Sequence, residues 1–144
     1  MGRVLGFDIG DRWLGIATGD ETLRIATPRP EMRLAKPDDA IAAMTQLIAT
    51  ERAVAIVIGM PYTLRGESGP QAQVVEKLIA NLRGVTDCAI HTVDERLTSS
   101  QAADIQRTGK AMKKGQKQAR EDSISATLIL QTWFDRGSSA AAGQ

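Results

Sequence analysis

The chain has 144 residues, 42% of them apolar and 24% charged, and 18 Lys+Arg against 17 Asp+Glu leave a formal net charge of +1. That length suits one domain with a substantial core, and the near-neutral balance excludes a protein held to a polyanion by its overall field. A single cysteine, Cys88, and a single histidine, His91, exclude a disulfide framework, a Cys-cluster zinc site and a His-rich metal site, while 3% aromatic residues argue against a multi-ring base-stacking sheet.

Val4–Ile9 is a short apolar run ending in the turn residues Gly10-Asp11. Trp13–Thr18 is a second, closed by Gly19-Asp20, and Leu23–Thr27 a third, expected to stop at Pro28 and Pro30. The short turns between them favour an antiparallel meander. Pro37-Asp38-Asp39 opens a helix, with proline near the first turn and acids facing the dipole, and Ile41, Met44, Leu47 and Ile48 follow at helical spacing. Ala53–Ile58 is apolar throughout, as a strand buried on both faces should be, and Gly59-Met60-Pro61 ends it. Ser68 is placed to cap the next helix, whose apolar side carries Val74, Val75, Leu78, Ile79 and Leu82 and which stops at Gly84.

Cys88–Val93 is a further strand, followed at once by Asp94-Glu95-Arg96. Cys88 and His91, three apart, fall on opposite faces and cannot share one ion. Thr98 or Ser99 caps a short helix to about Arg107, and Arg107–Arg120, without apolar periodicity and with two glycines, reads as a mobile loop. Glu121–Phe134 is the last helix, with Ile124, Leu128, Leu130 and Trp133 as core positions. Gly137–Gln144 is expected to be a disordered tail, leaving 1–136 as one domain. The order is three antiparallel strands feeding parallel βαβ units, a mixed five-stranded α/β sheet flanked by helices. No apolar run approaches the roughly 20 residues that span a bilayer. Asp8 and Asp11 interrupt the stretch where a signal peptide would be apolar, so a soluble cytoplasmic protein without membrane association is expected.

Three acids stand out. Asp8 ends an otherwise apolar strand, where an unpaired buried carboxylate would be costly; Asp94-Glu95 end another strand; Asp122 opens the final helix. Ligand sites of α/β sheets gather at the carboxyl ends of the strands. Carboxylates without His or Cys partners suit a hard cation, Mg²⁺ or Mn²⁺, and two such ions roughly 4 Å apart serve phosphodiester cleavage. Each acid alone has a plainer reading, as a turn aspartate or a helix-dipole complement.

Phe7–Gly19 (FDIGDRWLGIATG), Gly59-Met60-Pro61, Gly66, Asp94-Glu95-Arg96-Leu97-Thr98-Ser99 and Asp122 with Ile129-Leu130-Gln131 occur in an order that resembles the YqgF/RuvX proteins. Those are RNase H-like Holliday-junction resolvases, also described as nucleases that mature the 5′ end of pre-16S rRNA. The resemblance implies an RNase H-like fold and a hydrolase acting on ester bonds. It matches Asp8, Glu95 and Asp122 to the catalytic, metal-holding acids, with Asp94 as a further candidate and two Mg²⁺ or Mn²⁺ ions as cofactors. Classic relatives carry a fourth acid; Ser125, a turn beyond Asp122, supplies none.

Lys110, Lys113, Lys114 and Lys117 form an acid-free basic run between Arg107 and Arg120, leading into Asp122. A solvated loop is its plain reading, and contact with a phosphate backbone its functional one. Arg12, Arg65 and Arg96 are further candidates for holding phosphates, although Arg96 could equally pair with Asp94. The resemblance implies a nucleic-acid partner, an RNA precursor or single-stranded or branched DNA, bound by a monomer or homodimer. RNA and DNA stay open, as do exonuclease and endonuclease modes. Two alternatives remain at this point: a protein that grips structured nucleic acid without cutting, and an actin-like ATP-binding phosphotransferase, suggested by Asp8-Ile9-Gly10 before Gly15.

Overall fold

β1 (Arg3–Ile9) is almost entirely buried, and so takes the middle of the sheet. Around it, in a computed structural model that describes residues 2–63, 65–96 and 124–136, lie β2 (Trp13–Asp20), β3 (Thr27–Arg33), β4 (Ala53–Met60) and β5 (Ala89–Asp94). The five strands run in the order β3-β2-β1-β4-β5. β1 pairs antiparallel with β2, and β2 with β3, whereas β4 and β5 run parallel to β1. This is the mixed sheet the sequence predicts.

Helices α1 (Asp39–Glu51) and α2 (Pro70–Arg83) make the crossovers into β4 and β5 and cover one face of the sheet. There Leu5, Phe7, Leu14, Ile56 and Ile58 meet Met44, Leu78 and Leu82. α1 stops where Arg52 turns left-handed, at φ 53°, and its amide closes on the carbonyls of Ala49 and Ile48. The other face is covered by a final helix, α3 (124–136), whose Ala126, Ile129, Leu130 and Phe134 pack on Val4, Ala17, Val57 and Val93.

Several local expectations need correcting. The third strand is not Leu23–Thr27 but Thr27–Arg33, so both prolines lie within it rather than ending it. Proline is tolerated there because β3 is an edge strand and its register with β2 shifts between Leu14 and Ile16. The N-cap of α2 is Gly69, with Pro70 at the first position, and the Ser68 hydroxyl hydrogen-bonds Glu76 Oε1 at 2.7 Å instead. Val74 is 50% exposed, and Ala72 takes the core position on that helix. In α3 the buried set is 126, 129, 130 and 134, so Ile124, Leu128 and Trp133 are only partly covered.

Cys88 packs against the α1/α2 core, whereas the His91 ring lies 4.9 Å from that of Trp133 on α3, on the other side of the sheet. The predicted helix from Thr98 or Ser99, the basic loop and the tail 137–144 lie outside the described residues.

Candidate active site

Alternation along β1 puts Phe7 and Ile9 into the α1/α2 core and leaves Asp8 on the α3 face. On that face α3 lies close over the sheet: Leu130 and the Ala126 carbonyl sit against Gly6, and the Phe134 ring against Gly19. Gly19 pairs with Val4 at the amino end of β1, so α3 runs its C-terminal end over that end of the sheet. Its first turn, starting at 124, therefore lies toward the carboxyl end of β1, where Asp8 stands. Gln131 fixes the helix laterally, its Oε1 accepting from Ala26 N at 2.9 Å and its Nε2 donating to the Arg24 carbonyl at 3.0 Å.

β4 and β5 bring the second acid. The Glu95 amide donates to the Met60 carbonyl at 3.0 Å, carrying the β4–β5 ladder one step past Asp94. Its side chain lies over Gly59, where a Cβ would fall 2.9 Å from Glu95 Cγ and 2.4 Å from Ile129 Cδ1. The missing side chain at Gly59 is what admits both. Gly59-Met60-Pro61 is expected to end the strand, but β4 runs on to Met60, so Gly59 lies inside it, where a glycine marks a close approach.

A hydrogen bond joins the carboxyl groups of Glu95 and Asp8. Burial pushes the Glu95 carboxyl above its ordinary range and the negative charge of Asp94 adds to this, while the contact with Asp8 opposes it. Two carboxyl groups this close must share either a proton or a cation. The donor set is thus all oxygen, partly desolvated and anionic, which fits a hard divalent metal.

Raising the pKa in the folded state has a definite sign. Between the ordinary glutamate value and the raised one, the folded protein binds more protons than the unfolded chain, so stability falls as pH rises through that window. In chelator, chemical denaturation from pH 4 to 8 should show this decline in the wild type. Glu95→Gln should remove it and be the more stable protein at neutral pH; parallel profiles would show that Glu95 is not desolvated.

Asp94 turns elsewhere. Its carboxylate accepts from the Arg96 amide at 2.9 Å and from Arg96 Nε at 2.9 Å, and this pairing holds it below the usual carboxylate range. Arg96 in turn lies on the β4–α2 loop, where a Cβ at Gly66 would come 3.0 Å from its Nη1 and where φ is +81°. Glycine at 66 therefore serves both the turn and the close approach of the guanidinium. Arg12, in the β1–β2 turn, and Arg65, in the β4–α2 loop, are exposed at the same end of the sheet. The Arg12 carbonyl accepts from Leu34 N at 2.7 Å, which ties that turn to the chain leaving β3.

Of the predicted site residues, the structure brings Asp8 and Glu95 into contact and pairs Asp94 with Arg96. Asp122, Lys110, Lys113, Lys114 and Lys117 lie outside the described residues. Among the described residues no three His, Cys, Asp or Glu side chains gather into a metal-sized group.

The family model described as "RuvX: Holliday junction resolvase" matches residues 2–136. Similar curated proteins include one from Chloroflexus aggregans (strain MD-66 / DSM 9485), 36% identical over 132 residues and 92% of each chain. Another, from Sulfurihydrogenibium sp. (strain YO3AOP1), is 38% identical over 139 residues, covering 94% of this chain and 92% of its own. Both carry the name "Putative pre-16S rRNA nuclease". Among solved structures, the Fowlpox virus resolvase with its substrate Holliday junction DNA superposes with TM-score 0.58 at 9% identity, covering 92% of this chain and 97% of that one. T. thermophilus RuvC in complex with Holliday junction substrate gives 0.56 at 14% identity, covering 93% and 94%. At such identities the likeness is one of fold, the RNase H-like fold of the resolvases. The chain belongs to the RuvX family, and with it to the nucleases, hydrolases that act on ester bonds.

Proposed function

We propose that this protein hydrolyses a phosphodiester bond of a ribosomal RNA precursor, trimming the 5′ end of pre-16S rRNA, at a centre built on Asp8 and Glu95. The observation that carries the reading is the contact between these two carboxyl groups at the carboxyl end of the parallel strands. The substrate follows the name that the relatives carry, and the activity belongs in the cytoplasm with that substrate. Among the described residues no helix is long and apolar enough to cross a membrane.

Asp8 and Glu95 would hold a divalent cation, Mg²⁺ or Mn²⁺, and Asp122, two residues before α3 begins, is the proposed third ligand. A cation there supplies Lewis acidity, favouring ionisation of the attacking water and offsetting charge that develops on the phosphate. The protein's own part is to bind and orient. Arg12 and Arg65 meet the backbone phosphates at the rim, and Arg96, held by Asp94 against Gly66, adds a further guanidinium at that end of the sheet. Lys110, Lys113, Lys114 and Lys117 add phosphate contacts along the strand.

The reading is tested with end-labelled single-stranded RNA carrying a precursor 5′ extension, single-stranded DNA and a four-way DNA junction, each with Mg²⁺, Mn²⁺ or chelator. Metal-dependent cleavage favouring the RNA supports it. Preference for the junction, which the family's description favours, would move the substrate to branched DNA and require two copies for paired cuts. Binding without cleavage under every condition would return the protein to the non-catalytic alternative. The actin-like ATP-binding alternative falls away, since the chain matches nucleases over nearly its whole length.

The basic run makes a separate expectation. Lys113→Glu, Lys114→Glu and Lys117→Glu together should weaken nucleic-acid binding and lower the slope of log K against log salt by roughly two to three, at about 0.7–0.9 per lost contact. An unchanged slope in a salt titration would remove these lysines from the interface.

A further inference from the structure

Alternation in β2 has a consequence for the acid end of the sheet. Asp8 pairs directly with Gly15, and residues 13 and 15 share a face, so Trp13 is the diagonal neighbour of Asp8 on its own face, about 7–8 Å away along the pleat. Directly opposite Trp13 on β3 is Arg33, whose guanidinium carbon lies 5.7 Å from the indole centroid. Arg33, Trp13, Asp8 and Glu95 therefore form one row across the end of the sheet. Trp13 is 39% exposed although it belongs to a strand whose next four residues are buried. A tryptophan recruited only for packing would be covered more completely.

We propose that Trp13 stacks an unpaired nucleobase of the nucleotide adjoining the bond to be cut, with Arg33 orienting the indole and adding positive charge. This rests on the placement of the reaction at Asp8 and Glu95. Every base has a π-face, so stacking holds a strand without reading its sequence. Within a duplex those faces are already occupied by neighbouring bases, so the row selects a single-stranded or frayed segment at the cut. A low aromatic content excludes a sheet of several stacking rings and leaves room for this single one.

The chain has two tryptophans, so Trp133→Phe leaves Trp13 as the sole indole reporter. Titrating this protein in chelator with a single-stranded RNA oligonucleotide should quench its fluorescence, and the same sequence as a blunt duplex should not. On the wild-type background, Trp13→Ala should weaken single-strand binding about 5- to 150-fold, and Trp13→Phe should restore most of it. No quench with single-stranded RNA, equal quench with duplex, or wild-type affinity in Trp13→Ala overturns the proposal. The fluorescence arm stands even if Trp13→Ala fails to fold. Failure of the reaction centre itself is read separately: Asp8→Asn that still cleaves refutes the centre, whereas Asp8→Asn that loses cleavage and keeps the quench leaves both readings standing.

Discussion

Asp8→Asn is expected to lower cleavage by about a thousandfold or more, some 4 kcal/mol in the barrier, while leaving the fold intact. The substitution preserves shape and keeps a group that can hydrogen-bond Glu95, so it removes charge at the acid pair without opening a cavity. Removing that charge also removes the reason for a dication to bind. Mg²⁺ or Mn²⁺ should therefore raise the melting temperature of the wild type, by an amount corresponding to about 2.7 kcal/mol at a hundredfold excess over Kd, and fail to do so in the mutant. Single-turnover cleavage, circular dichroism and thermal melts with and without metal make the check. Cleavage above a tenth of wild type in a normally folded mutant would exclude Asp8 from the reaction.

Phe134→Ala should be the most damaging of the simple core truncations on α3. The ring is 1% exposed, lies where a side chain at Gly19 would otherwise be, and stands 5.7 Å from the Trp133 ring. Truncating a buried phenylalanine costs about 3–5 kcal/mol, which for a chain of this size lowers the melting temperature by roughly 10–17 °C. Urea unfolding should show a lower midpoint with an unchanged slope. A loss under about 1 kcal/mol would mean that α3 contributes little to the core. Because α3 leads back toward the acid end of the sheet, the same mutant should also respond less to added metal.

The two results together bear on how the site is built, and on how far it can be read from residues alone. β1, β2, β4, β5 and both crossover helices were legible because uninterrupted apolar runs and a 3.6-residue spacing describe elements whose burial is decided by the sheet. The placing of Asp8 and Glu95 at one edge followed from the same pattern, since parallel strands deliver their carboxyl ends together. What failed depended on neighbours. Pro28 and Pro30 read as breaks because their tolerance comes from lying at the edge beside a register shift, which only the partner strand reveals. The phase of α3 was only partly legible: Leu130 was expected in the core, but Ala126, Ile129 and Phe134, which lie against Gly6, Gly59 and Gly19, are marked as buried only by the glycines facing them. Likewise, the pairing of Asp94 with Arg96 could be named as one of two outcomes, and only the fold at Gly66 decides it.

The prolines of β3 reach beyond local geometry. An edge strand is a template on which another chain can zip, and two of the seven residues of this one carry no amide hydrogen to offer. Two missing donors make this margin a poor template for strand addition, so a continuous sheet across two molecules is disfavoured there. The same feature favours leaving the β3 margin to a nucleic-acid strand running along the row from Arg33 to Glu95.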